Sequence, residues 1–117
     1  MRFRVVETDN ELMAIFDSEN SLHNSLLSRF LVSSKYFVVD ILHDISLVER
    51  DIYPSHAYEN PEVFIELFKD HITIETYVGE DETEIPKIQI PLQGAKLLLL
   101  EWGVALQRWR MGRETAN

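Results

Sequence analysis

The spacing of hydrophobic positions changes at Pro91. From Lys87 to Ile90 they alternate, Ile88 and Ile90 against Lys87 and Gln89, as in a half-buried strand. Pro91 ends that ladder because it has no N–H to donate. From Gln93 onward the period is helical. Ala95, Leu98, Leu99, Trp102, Ala105, Leu106 and Trp109 fall on one stripe, widened by Leu97, Leu100 and Val104. Lys96, Gln107 and Arg110 fall on the opposite face. A stripe this wide must be covered, which predicts a long C-terminal helix with a sheet wrapped on it. Gly103 in the middle of that helix costs about 1 kcal/mol relative to alanine, so the pattern predicts a close approach there by another backbone.

Other segments read as follows. Met1 to Glu7 reads as a strand, with Phe3 and Val5 on one face; Thr8-Asp9-Asn10 reads as a turn, and Leu12 to Phe16 as the returning strand. Leu22, Leu26 and Phe30 recur every four residues, beside Leu27 and Leu31, which predicts a short helix near 21–32 capped by Ser18 or Ser21. Tyr36 to Asp44 alternates, with Phe37, Val39 and Ile41 facing one way and Asp40 and Asp44 the other, and reads as a strand with a wet face that continues or restarts through Ile45 to Val48. Glu49 to Pro61, with two prolines, reads as the longest irregular connection. Val63 to Phe68 and Ile72 to Val78 read as a hairpin turning at Lys69-Asp70-His71. Gly79 to Glu84 reads as an acidic turn. The sum is an α+β fold: a mainly antiparallel sheet of about five or six strands packed on one long C-terminal helix. A single domain over 1–117 is expected at this length.

Charge adds regional contrast. The net charge is −9. Asp40 to Glu84 holds 13 acids against only Arg50 and Lys69, a net of −11, so the remainder is net +2. An acidic region repels nucleic acid and attracts basic partners. There is no cysteine, so disulfides, thiolate metal sites and a cysteine nucleophile are excluded. Met1-Arg2-Phe3-Arg4 leads into no apolar signal core, and the longest strictly apolar run, Leu97 to Leu100, is far too short to span a membrane. A soluble cytoplasmic protein is expected.

Candidate chemistry is sparse. No two of His23, His43, His56 and His71 stand three or four apart, so no helix presents a ligand pair. A composite site of His43, His71 and a carboxylate has no spacing to support it. The Gly79–Glu84 run places its glycine first, unlike a calcium loop. The four glycines are scattered and no Gly-x-Ser-x-Gly element occurs. The expectation is a protein that is not an enzyme and holds no cofactor or metal. Its candidate partner-binding residues are Asp40 and Asp44 on the wet strand face, Glu75 and Tyr77 on the next, and Glu80, Asp81, Glu82 and Glu84 at the acidic tip. Arg108, Arg110 and Arg113 suit the negative end of the helix dipole and are placed to tie the helix end to that tip.

A small, acidic, cysteine-free α+β domain without catalytic residues resembles the immunity proteins of bacterial contact-dependent inhibition and related polymorphic toxin systems. The Ile-Gln-Ile-Pro-Leu-Gln-Gly-Ala-Lys-Leu-Leu-Leu-Leu-Glu-Trp segment is similar in style to their strand-then-helix endings. The resemblance implies a cytoplasmic inhibitor that binds a cognate toxin domain, often a nuclease, and blocks its active site or substrate groove. The alternatives are a structural or adaptor subunit that oligomerises through its Trp-bearing C-terminal helix, and a small metal- or ligand-binding module.

Overall fold

The computed structural model describes residues 2–76 and 86–115. It is an α+β protein with three helices and six strands among these residues. The N-terminal hairpin joins β1 (Arg4–Glu7) to β2 (Leu12–Ile15) in its own two-stranded sheet. Thr8 closes its turn, with the backbone N–H and the hydroxyl both donating to the Glu11 carbonyl. β2 buries Leu12 and Ala14, whereas β1 is exposed. Val5 therefore does not share the burial of Phe3, which packs against Phe16 and the Trp102 ring.

Helix α1 (Ser21–Ser33) is capped by Asn20, whose side chain accepts from the His23 N–H at 3.1 Å. The cap is thus neither Ser18 nor Ser21. Leu26, Leu27, Phe30 and Leu31 form its buried face. Ser34 ends it, and its buried hydroxyl donates to the Phe30 carbonyl at 2.6 Å.

The segment expected to be a strand from Tyr36 is instead helix α2 (Val38–Glu49). Two patterns coexist there. The alternation of Phe37, Val39 and Ile41 competes with Val38, Ile41, Ile45 and Val48, which recur at helical spacing. The helical set is the buried one, and Val39 is 78% exposed. A Schellman motif ends the helix: Ile52 N–H donates to the Leu47 carbonyl, Asp51 N–H to that of Val48, and Asp51 is left-handed with φ 57°.

The expected irregular connection contains β3 (Ser55–Glu59), the edge of a four-stranded antiparallel meander completed by β4 (Val63–Phe68), β5 (His71–Thr76) and β6 (Lys87–Pro91). Asn60 turns the chain between β3 and β4, its side chain accepting from the N–H groups of Glu62 and Val63. The register pairs Ile65 with Ile74 and Ile74 with Ile88. These residues, with Val63, Leu67, Ile72 and Ile90, make an apolar inner face. All three helices pack on that face.

Helix α3 (Leu92–Thr115) follows β6 directly. Leu92, Ala95, Leu98, Leu99, Trp102 and Leu106 are buried as the periodicity predicts, and Trp102 is fully enclosed. Leu97, Leu100 and Val104, expected to widen that stripe, are exposed instead. Lys96 and Arg110 do not lie opposite the core. They border α2: Lys96 pairs with Glu49 at 3.3 Å, and Arg110 donates to the Lys35 carbonyl. Gly103 meets a side chain rather than a backbone, since a Cβ added there would lie 3.3 Å from Val38 Cγ1.

Candidate functional site

Asp40 and Asp44 stand one helical turn apart on α2, so their carboxylates share a face. That face borders β3. Asp44 Oδ2 lies 3.4 Å from His56 Nε2, an ion pair whenever the imidazole is protonated. Tyr58 donates its hydroxyl to the Asp40 carbonyl at 3.2 Å. His56 stacks beside Tyr53, with ring centroids 6.1 Å apart, and meets Tyr58 edge-on at 5.0 Å. The result is a seam of two carboxylates and three rings between a helix and a sheet edge. The Asp44 side chain is mostly covered, and Asp40 is exposed.

Next to the seam is a niche of about 180 Å³ lined by Ser33, Ser34, Phe37, Ile41, Tyr58, Glu59, Asn60 and Ile65. Ile41 and Ile65 give it an apolar floor, and Glu59 places a carboxylate among its walls. Such a niche fits the aliphatic stem of a lysine or arginine whose cation stays at an acidic rim.

The other expected site residues do not join this seam. Glu75 lies on the outer face of β5, where it pairs with Lys87 at 3.2 Å. Its cross-strand partner on β4 is Phe64. Asp40 and Asp44 belong to a helix on the inner face, so the sheet separates them from Glu75. Tyr77, Glu80, Asp81, Glu82 and Glu84 lie outside the described residues.

The middle carboxylates are also partly compensated. Besides Asp44 and Glu75, Glu49 pairs with Lys96, Asp51 with Lys69 at 2.6 Å and Asp70 with His71 at 2.6 Å. The hydrogen bond from His71 holds the Asp70 carboxyl below its ordinary value. The expected contact of Arg108, Arg110 and Arg113 with the acidic tip lies outside the described residues. Arg113 donates to the Asp9 carbonyl and lies over the Trp109 ring, and the Trp109 indole N–H donates to Glu7 at 3.1 Å. The described contacts of the helix end are thus with the N-terminal hairpin, through Trp109 and Arg113, and with the α1–α2 connection, through Arg110.

His43 is exposed on α2, whereas His71 stacks on Phe68 at the start of β5. Among the described residues no group of three His, Asp or Glu side chains is placed to hold a metal ion. Also among the described residues, no helix is long and apolar enough to cross a membrane.

His56 and Tyr58 are not among the site residues that the sequence singles out. Their signal was the alternation His56-Ala57-Tyr58, masked by the flanking Pro54 and Pro61. In comparison with known proteins, no family model, curated protein or solved structure matches the chain.

Proposed function

We propose that this chain is a non-catalytic acidic binding protein, an immunity protein that neutralises a cognate bacterial toxin domain by occluding its active site or substrate groove. The observation that carries the reading is the α2–β3 seam: Asp40 and Asp44 on one helix face, beside Tyr53, His56 and Tyr58, with an apolar niche at its margin. Aromatic side chains with carboxylates supply the two parts a tight interface needs. The rings are rigid anchors, costing little conformational entropy when they bind. The carboxylates attract a basic surface from a distance, and a nuclease must be basic to hold phosphates.

The net −11 of the Asp40 to Glu84 region supports the long-range part. Complementary fields raise association from about 10⁵–10⁶ to 10⁸–10⁹ M⁻¹s⁻¹ at low salt. Desolvated anchors then set the rate of dissociation.

The test uses the adjacent reading frame in the source genome. Expressed alone in a bacterium, its product, or the C-terminal domain of that product, is expected to arrest growth. Co-expression of this chain is expected to restore growth, and the purified chain to abolish the toxin's activity at equimolar ratio. A toxic neighbour that this chain neither binds nor relieves, or a neighbour without toxicity, contradicts the reading.

A further inference from the structure

One large apolar surface takes no part in the core. At 3.6 residues per turn, Leu97, Val104 and Met111 point directly away from the buried stripe of α3, with Leu100 beside them. They are 61%, 49%, 58% and 46% exposed, respectively. Positions 97, 100, 104, 107 and 111 repeat at alternating steps of three and four, the spacing of a coiled-coil seam with Gln107 as its one polar member. The seam is about 21 Å long at 1.5 Å per residue. Tyr36 and Val39, both strongly exposed, line a groove that Met111 and Gln107 share, and so widen the apolar surface toward α2. Isolated exposed apolar residues are ordinary, but a contiguous stripe marks an interface.

We infer that this stripe pairs two copies of the chain, with the two α3 helices antiparallel. The charges flanking the seam select that occupant and that direction. In an antiparallel pair, Leu100 packs against the partner's Met111 and Val104 against the partner's Gln107. This register sets Glu101 beside the partner's Arg108, and by the two-fold symmetry does so twice. Neither Glu101 nor Arg108 has an ion-pair partner among the described residues. A parallel pair sets Arg108 beside the partner's Gly103 and leaves it uncompensated, and it calls on Lys96, which is already bound to Glu49. The antiparallel register also brings the two Gln107 amides into adjacent layers at the axis, within reach of one another. The pairing leaves the α2–β3 seam open, so each copy retains its acidic face.

The absence of cysteine makes the direction directly measurable. In the antiparallel pair, the two residues at position 107 are offset by about 4.5 Å along the axis and the two at position 97 by about 25 Å. Sedimentation equilibrium of the full chain at high micromolar concentration is expected to give twice the chain mass. Val104→Glu, with an unchanged circular dichroism spectrum, is expected to give the chain mass alone. Under mild oxidation Gln107→Cys is expected to form a covalent dimer, and Leu97→Cys is not. A monomeric unaltered chain, a dimer that survives Val104→Glu, or equal cross-linking at both positions overturns the inference. The cysteine pair decides the matter should Val104→Glu disturb folding.

Discussion

Tyr58 donates its hydroxyl to the main-chain carbonyl of Asp40 across the gap between β3 and α2, at 3.2 Å. The bond joins an edge strand to the helix that carries both seam carboxylates. It is also solvent-exposed, so its net contribution is about 0.5–1 kcal/mol. Tyr58→Phe is therefore expected to lower the melting temperature by no more than a few degrees. Tyr58→Ala also removes the ring that meets His56, and is expected to weaken binding to the proposed toxin partner at least tenfold with the fold retained. Calorimetric melting and a binding titration check the two expectations separately.

Asp51 is the one non-glycine residue with positive φ among those described. A left-handed residue costs about 1 kcal/mol where a Cβ is present. Glycine at a Schellman position relieves that cost. The substitution also deletes the exposed Asp51–Lys69 pair, but such pairs contribute little. Asp51→Gly is expected to stabilise the protein modestly in urea denaturation. A loss of stability would show that the ion pair outweighs the backbone relief.

Gly103 and Val38 set a limit on what the middle of α3 accepts. A single methyl meets Val38 Cγ1 at 3.3 Å, a shift of a few tenths of an ångström for an aliphatic side chain. The helix-propensity gain of about 1 kcal/mol offsets that crowding. Gly103→Ala is expected to leave stability within about 1 kcal/mol of the natural chain. Gly103→Val places two more methyls against α2 and is expected to cost about 1–3 kcal/mol as overpacking. Equal melting points for the two variants would contradict tight packing at this contact.

Asp70 supplies a pH dependence with a definite sign. Its folded-state pKa lies below the ordinary 3.8, chiefly through the hydrogen bond from His71. A depressed carboxyl contributes stability that is fully present above the ordinary value and is lost as pH falls through the lower, folded one. The expected window is therefore acidic, below 3.8. Carbon-detected NMR titration is expected to place Asp70 under its unfolded value, and His71→Gln to move it back upward.

Much of the architecture was legible because burial and periodicity agreed. Ile88 and Ile90, Ile72 and Ile74, and the Ala95 to Leu106 stripe are inward where their spacing puts them. Two failures share one cause. Between Tyr36 and Val48 two periodicities overlap, and only tertiary packing decides that Ile45 and Val48 belong with Val38 while Val39 faces water. On α3, two apolar stripes lie on opposite faces, and hydrophobicity by itself does not say which the sheet covers. Asp40 and Asp44 were legible as candidates, but their placement was not. Four residues apart, they share a face on a strand and on a helix alike, so spacing did not separate the readings. The aromatic half of the seam was hidden because β3 is a short edge strand between prolines.

The most direct test of the acidic-seam account is the association rate of the proposed toxin partner with the natural chain and with Asp40→Lys/Asp44→Lys, measured across a range of salt concentrations. The natural chain is expected to associate fast at low salt and to slow steeply as salt is added. The double variant is expected to associate at least tenfold more slowly at low salt, with a visibly shallower salt dependence. Identical rates and identical salt slopes for the two proteins would contradict the account.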